Sequence, residues 1–281
     1  MIEGRGIFTR TLRLYLPLAV CLVAMLFPFY WMLITSIKPN SELYSARIMP
    51  LVVYHPTLKH YVDLLTQTNF LTWTYNTMLV AVVTTTVSLV LGTMMAYPLA
   101  RMNFPGAAVV AIGVAATYLV PQPLLFIPMA DIINKLELGN TLSAVMLTYP
   151  TLLIPFCAWL LMGYFKSVPR ELEEAARIDG ASRFQAMWRV VLPLTTPGLL
   201  SAGIFAFTLA QNEFLYALIF LSKSEVRTVP VGAITELIRG DVFYWGQLMA
   251  AALLGSIPVA VIYSFFVDYY VAGLTAGSVK S

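Results

Sequence analysis

Charged residues of both signs are concentrated in one short stretch, residues 166–193, of a chain in which charges are otherwise rare. Three glutamates follow Pro169 there, and the last of them, Glu174, precedes a pair of alanines. Carboxylates can form charge-assisted hydrogen bonds with basic groups, and two alanines leave a depression that another protein surface can enter. The chemistry that this stretch predicts is docking to another protein.

Motifs for catalysis are missing from the sequence. It contains no H-E-x-x-H, no G-x-S-x-G and no G-x-x-x-x-G-K-[ST] pattern. The two histidines, His55 and His60, have no cysteine or histidine nearby that could complete a metal site. We therefore expect no catalytic residue, no metal site and no nucleotide-binding site in this chain.

Local signals in residues 166–193 predict two short helices joined by a tight turn. Proline suits a first helical turn, and acidic residues are favourable at the positive end of a helix, so the first helix begins near Pro169. Gly180 fits the left-handed position just past a helix end, and Ser182 can cap the next helix.

Side-chain spacing in the same stretch predicts two contacts. Glu173 and Arg177 stand four apart and can pair on one face of the first helix. The apolar residues of the second helix fall on one face, and they are Phe184, Met187, Trp188, Val191 and Leu192.

The rest of the chain has the composition of a membrane protein. Of its 281 residues 59% are hydrophobic and only 11% are charged, and the mean hydropathy is +0.79, whereas soluble domains are about 25% charged. Uncharged runs long enough to cross a bilayer, which takes about 20 residues, occur six times. We predict an all-α membrane protein, a single domain over residues 1–281, with six transmembrane helices at about 14–37, 74–99, 107–130, 141–165, 194–217 and 246–270.

The positive charges favour one orientation of these helices. With a cytoplasmic N-terminus, the inner segments hold ten lysines and arginines and the outer segments hold seven. Inner loops of membrane proteins are the more positive, so we predict that both ends are cytoplasmic. Residues 166–193 then form a cytoplasmic helix-turn-helix between the fourth and fifth helices.

The docking stretch also resembles a known family. It reads E-A-A-x-x-D-G-A followed at a fixed spacing by V-x-L-P, which resembles the cytoplasmic loop motif of binding-protein-dependent ABC importer permeases. Other segments resemble the second permease subunit of the maltose-type carbohydrate systems, and they are YWMLITSIKPNSEL, YNTMLVA, AYPLARMNFPG, LELGNT, QNEFLYAL and YYVAGLTAGSVKS. The residues at matching motif positions are Glu174, Ala175, Ala176, Asp179, Gly180, Ala181, Leu192 and Pro193.

The resemblance implies that Glu171 to Asp179 is a coupling helix, seated in a cleft of an ATPase subunit that binds ATP and Mg in place of this chain. It also implies partners: a second permease subunit, two cytoplasmic ATPase subunits, membrane lipid, and an extracytoplasmic solute-binding protein received by outer segments 40–69 and 221–240. Nucleic acid is not among them. The expected location is the inner membrane of a prokaryote, as a multi-pass protein. An ordered C-terminal tail at the ATPase interface is implied as well, with Gly273, Leu274, Thr275 and Gly277.

Polar residues inside or at the edges of the predicted helices are candidates for a solute path, because exposing them to lipid is costly. Amides both donate and accept hydrogen bonds, as sugar hydroxyls do, and an aromatic face can cover sugar C–H groups. Helix-to-helix hydrogen bonding explains Asn76 and Asn212 equally well, and a structural or gating role suits Glu213. The family usually has tryptophan at position 211, which weakens the case for a solute contact there. The candidates are Asn76, Tyr118, Gln122, Gln211, Asn212 and Glu213.

The function implied is the permease subunit of an ATP-driven importer for a sugar or sugar-like solute. Glycerol phosphate or a polyol derivative is the alternative within the same importer class. A membrane-embedded enzyme would need a catalytic motif, and a secondary transporter would need no docking helix.

Overall fold

The computed structural model describes residues 11–45, 47–117 and 119–276, with side chains described from residue 13 to residue 267. Within that part of the chain the regular secondary structure is helical except for one two-stranded antiparallel hairpin. The α-helices are α1 Leu16–Ile37, α2 Asn40–Leu43, α3 Lys59–Gln67, α4 Phe70–Arg101, α5 Ala107–Thr117, α6 Gln122–Lys135, α7 Leu142–Thr148, α8 Pro150–Ser167, α9 Arg170–Ile178, α10 Arg183–Ala186, α11 Leu192–Leu194, α12 Thr196–Asn212, α13 Leu215–Phe220, α14 Val229–Leu237 and α15 Trp245–Ala276; the strands are β1 Ile238–Arg239 and β2 Val242–Phe243.

Four helices are long and apolar enough to cross a membrane: Arg13–Ile37, Phe70–Arg101, Leu142–Ser167 and Trp245–Val267. Two further spans are possible if each of two bent helix pairs counts as one. These pairs are Ala107–Thr117 with Gln122–Lys135, bent by 95°, and Arg183–Leu194 with Thr196–Asn212, bent by 78°. Prolines at the breaks supply a physical cause, since proline removes a backbone donor and cannot continue a regular helix. The structure therefore shows a helical membrane protein, and the count of six stays a prediction.

The chain divides into two compact units, so the single-domain assignment also stays a prediction. The first unit contains α1 to α3 and the hairpin. Its loops are held by Glu42 on α2, whose carboxylate oxygens accept hydrogen bonds from the N–H groups of Tyr54 at 3.1 Å and His55 at 2.8 Å. The Tyr44 hydroxyl donates to the Phe243 carbonyl at 2.6 Å and so ties α2 to β2.

The second unit holds most of the buried apolar residues. Helices α4, α8 and α12 approach closely there because small residues lie at the contacts. A Cβ atom at Gly92 would lie 2.7 Å from the Cys157 Cβ, and one at Gly198 would lie 2.3 Å from the Tyr164 ring. Glycine thus sets how closely these helices pack.

The two ends of α4 contact different loops. At its start, Trp73 and Asn76 donate hydrogen bonds to backbone carbonyls of residues 224–227. At its end, Arg101 contacts the stretch that begins α9. A helix of 32 residues is about 48 Å long at 1.5 Å per residue, so these loops lie far apart.

Candidate functional site

Backbone hydrogen bonds at the end of α9 form a complete Schellman motif. The Ala181 N–H donates to the Ala176 carbonyl at 3.0 Å, and the Gly180 N–H donates to the Arg177 carbonyl at 3.1 Å. Gly180 has φ +91°, the left-handed conformation that the sequence predicts at this position.

The start of α10 is equally well defined by local bonds. The Gln185 N–H donates to the Ser182 hydroxyl oxygen at 3.2 Å, and the Gln185 side-chain oxygen accepts from the Ser182 N–H at 2.8 Å. This reciprocal pair is a capping box. The predicted helix, tight turn and second helix are therefore present, and short-range interactions determine the turn.

Most of the surface of α9 faces outward. None of its residues is buried. Glu171, Glu174 and Ala175 are exposed and Ala176 is half-buried, so the acidic and small residues that predict docking are accessible. Asp179 caps the helix end through its backbone N–H and is exposed as well.

Glu173 is the exception among the acids of α9, since its side chain is only 14% exposed. One carboxylate oxygen accepts from the Arg101 Nε at 3.0 Å, and the other accepts from the Tyr97 hydroxyl at 2.5 Å. The predicted pairing of Glu173 with Arg177 is wrong, because the end of α4 lies against the first turn of α9 and presents a better-buried cation.

The apolar residues of the second helix do not share one face as the sequence predicts. Met187 and Val191 are buried, whereas Phe184 and Trp188 are 64% and 65% exposed and stack with ring centroids 6.5 Å apart. The cause is a π-turn over Met187–Val191, which adds a residue to the turn and shifts the helical phase. Leu192 is half-buried, and Pro193 is exposed at the following bend.

A cavity of about 440 Å³ opens between α6, α8 and the region where α12 meets α13. Three of the six predicted solute-path residues line it: Gln122, Asn212 and Glu213. Tyr149 and Thr208 add hydroxyl groups to the same wall. The lining combines apolar surface with amide, hydroxyl and carboxylate groups, which is the composition of a small-molecule site.

The polar groups of the cavity are partly engaged within the protein. The Asn212 amide nitrogen donates to the Thr208 carbonyl at 2.9 Å. The Glu213 carboxylate accepts from the N–H groups of Tyr216 at 2.9 Å and Ala217 at 3.2 Å. Glu213 therefore caps the start of α13, which fits the structural role considered from the sequence.

The profile of the family described as "binding-protein-dependent transport system inner membrane component" matches residues 88–275. That interval contains α9, the turn and the cavity. The chain belongs to this family.

Curated relatives align with this permease over almost its whole length. It is 36% identical over 267 residues to the sulfoquinovosyl glycerol transport system permease protein SmoH of Agrobacterium fabrum, covering 95% of this chain and 93% of that protein. It is 35% identical over 273 residues to the trehalose/maltose transport system permease protein MalG of Thermococcus litoralis, covering 95% and 97%. The predicted family resemblance is confirmed, and the protein is a permease subunit of an ABC importer in the inner membrane.

A solved structure supports the fold. The permease superposes with a TM-score of 0.78 on a chain of a bacterial ABC transporter involved in the import of the acidic polysaccharide alginate, at 21% identity and with 96% of this chain and 99% of that chain covered.

The other predicted site residues lie elsewhere or outside the described part. Asn76 is buried and donates to the carbonyls of Glu225 and Arg227, so its amide joins α4 to a loop. Gln211 is buried in α12, on none of the cavity walls. Tyr118 and Gly277 lie outside the described residues. Gly273, Leu274 and Thr275 belong to the last turns of α15, whose side chains there are not described.

The sequence patterns do not identify three residues that the structure places at these sites, and they are Tyr97, Arg101 and Tyr149. One signal was available for Arg101, which is the single charged residue between Asp63 and Asp131. Charged side chains within membrane-spanning segments are rare and usually pair with another group, so a lone cation at the end of a long uncharged run is a candidate for a specific partner. Nothing comparable marks Tyr97 or Tyr149.

Proposed function

We propose that this permease imports a sugar or sugar-like solute and converts the ATP-driven closure of partner ATPase subunits into alternating access. The observation that carries the proposal is α9, an exposed helix with accessible Glu174 and Ala175, whose following turn is fixed by the Schellman motif and the capping box. Such a helix can enter a cleft on another protein without refolding.

The partner set follows from the same features. The chain contains no nucleotide-binding motif, so ATP and Mg are to be bound by two ATPase subunits on the side of α9. A second permease subunit completes the path. An extracytoplasmic solute-binding protein delivers the solute at segments 40–69 and 221–240.

Sugar chemistry suits the cavity and the relatives. Carbohydrate transport permeases occur among the relatives, as the trehalose/maltose protein shows by its name. Gln122, Asn212, Tyr149 and Thr208 offer donors and acceptors beside apolar surface, which matches a solute with hydroxyl groups and C–H faces.

The six-span arrangement with both ends cytoplasmic belongs to this proposal. It is supported by the charge distribution and by the contacts at the two ends of α4. Cysteines placed singly at Asn103 and at Ser222, in a Cys21→Ser background, should react with impermeant maleimide from the cytoplasmic side and from the outer side, respectively. Labelling of both from one side would refute the six-span arrangement, and the reverse labelling would refute the orientation.

The decisive test reconstitutes the permease with its ATPase and second permease subunit in proteoliposomes, with the solute-binding protein added outside. Binding of a panel of sugars and polyol phosphates to the solute-binding protein first identifies the solute. Uptake of the labelled solute should then require ATP. Uptake that continues without ATP would exclude an ATP-driven importer, and selective binding of polyol phosphates would exclude the sugar assignment.

Docking is tested separately by cross-linking. A cysteine at Ala175 should form a disulfide or a short bifunctional cross-link with the ATPase, whereas a cysteine at Lys135, on an exposed pair elsewhere, should not. Equal cross-linking at both positions would contradict a specific site on α9.

A further inference from the structure

The attachment of α9 to the rest of the protein is polar. A helix with no buried residue gains little from the hydrophobic effect, which depends on apolar area removed from water. Leu172 and Ile178, its largest apolar residues, are 46% and 85% exposed. Polar contacts must therefore supply most of its attachment to the transmembrane helices.

We propose that Tyr97, Arg101 and Glu173 form a link that passes the movement of α9 to the transmembrane helix α4. The inference rests on the proposed function, because it assigns positioning residues to the coupling that the function requires. Arg101 is the last residue of α4, Tyr97 lies one turn before it, and Glu173 lies in the first turn of α9.

Arg101 binds the chain at three points around the start of α9. Its Nε donates to Glu173 at 3.0 Å, and its two terminal nitrogens lie 2.8 Å from the Val168 carbonyl and 3.4 Å from the Pro169 carbonyl. A guanidinium presents its donors in a rigid fork. Rotation or sliding of α9 against α4 would therefore break several bonds at once.

Tyr97 completes the link from one turn earlier on α4. Its hydroxyl donates to the second Glu173 oxygen at 2.5 Å and lies 3.3 Å from the Arg183 carbonyl, at the start of α10. The carboxylate is thus held on both oxygens. Both helices that flank the turn are in contact with α4.

Burial separates this link from an ordinary surface ion pair. The side chains of Arg101 and Glu173 are 2% and 14% exposed, whereas those of Lys135 and Asp131 are 73% and 63% exposed. Exposed pairs contribute little because water and salt screen them. Removing one partner of a buried pair leaves an uncompensated charge, which strongly weakens the site.

The test uses the complete transporter in proteoliposomes with Glu173→Gln, Arg101→Gln and the combination of both. Lys135→Gln is the matched control, because it also removes the cation of an ion pair, but of the exposed pair with Asp131, which lies outside α9. We expect each single variant to lower solute uptake per ATP hydrolysed by about tenfold, as for loss of a charge-assisted hydrogen bond. The double variant should lose no more than about twofold beyond either single one, since the two residues act together.

A distance measurement separates a link from a merely structural contact. Spin labels at Met94→Cys on α4 and Ile178→Cys on α9, both exposed positions, are placed in a Cys21→Ser background. In the wild-type complex the distance should stay constant when ATP is added. In Glu173→Gln the distribution of distances between the two labels should broaden and should change when ATP is added, while the ATPase still copurifies with the permease.

Each outcome decides the matter. Wild-type uptake per ATP and an unchanged distance in Glu173→Gln would overturn the link and leave the importer function intact. Absence of ATP-driven uptake in the wild type would instead overturn the function, and the label distance would still test the link. If Glu173→Gln fails to assemble, Arg101→Lys, which keeps the positive charge, and Tyr97→Phe, which keeps the ring and removes only the hydroxyl, should show the same defect in weaker form. Normal coupling in both would reject the proposal.

Discussion

The conformation of Gly180 gives a quantitative prediction about the turn between α9 and α10. With φ at +91°, the residue adopts a backbone geometry that an L-amino acid enters only at a cost. A Cβ atom at this position would meet nothing within 4 Å. Gly180→Ala therefore changes the backbone preference and introduces no clash.

The size of the effect follows from the steric penalty. The left-handed conformation costs an L-residue about 1–2 kcal/mol. That reduces the population of the native turn, relative to alternative turns, by a factor of roughly 5–30. Asparagine visits this region more readily, so Gly180→Asn should lose less than Gly180→Ala, and β-branched Gly180→Val should lose more.

Uptake per ATP hydrolysed in the reconstituted transporter measures the consequence, since on the proposed function the turn sets the angle at which α9 docks on the ATPase. Gly163→Ala is the control, because Gly163 lies in α8 with open space around it and no positive φ. Uptake per ATP hydrolysed should be highest with glycine at position 180 and should fall in the order Asn, Ala and Val. If Ala and Val couple as well as glycine while Asn does not, side-chain chemistry and not backbone strain governs the turn.

Three further changes have definite expected results. In Glu42, burial raises the pKa, but hydrogen bonds from Tyr54 and His55 outweigh it and hold the pKa below the ordinary value of 4.5. The stabilisation by the carboxylate is complete above that value and is lost as pH falls through the folded-state pKa. Proteolysis of residues 40–57 should therefore increase in acid, and Glu42→Gln should remove this pH dependence. Gly198→Ala would push a methyl group into the Tyr164 ring and should lower the unfolding free energy in detergent by about 1–3 kcal/mol. Gly113→Ala, with open space around it, should not lower it. Equal melting curves for the two variants would show that the Tyr164 ring moves freely. Asn212→Ala should raise the solute concentration needed for half-maximal uptake and leave uptake per ATP unchanged, and a coupling defect would assign Asn212 to the gate.

The turn between α9 and α10 was predictable because its causes are local. Gly180 and Ser182 act on backbone groups within a few residues, and the Schellman motif and the capping box form as the sequence predicts. The partner of Glu173 was not predictable in this way. The spacing rule offered Arg177, and only the fold brings Arg101 to the carboxylate.

Helix length shows a second limit of the sequence. The predicted second span, 74–99, is shorter than α4, which runs from Phe70 to Arg101. A hydrocarbon core of about 30 Å needs about 20 residues, and a longer uncharged run does not show where the membrane begins. Likewise, the π-turn at Met187–Val191 turns buried Val191 further from the direction of exposed Trp188, and regular periodicity cannot anticipate such a phase shift.

The pairing of Arg101 with Glu173 also constrains biosynthesis, because the two residues are 72 positions apart. At about 5–20 residues per second of translation, Arg101 is made roughly 4–14 s before its partner. During that interval α4 carries an unmatched cation at its end. On the proposed topology, the positive-inside rule favours the cytoplasmic surface for that end, so the same arginine would act first as a signal for orientation and later as an anchor for α9.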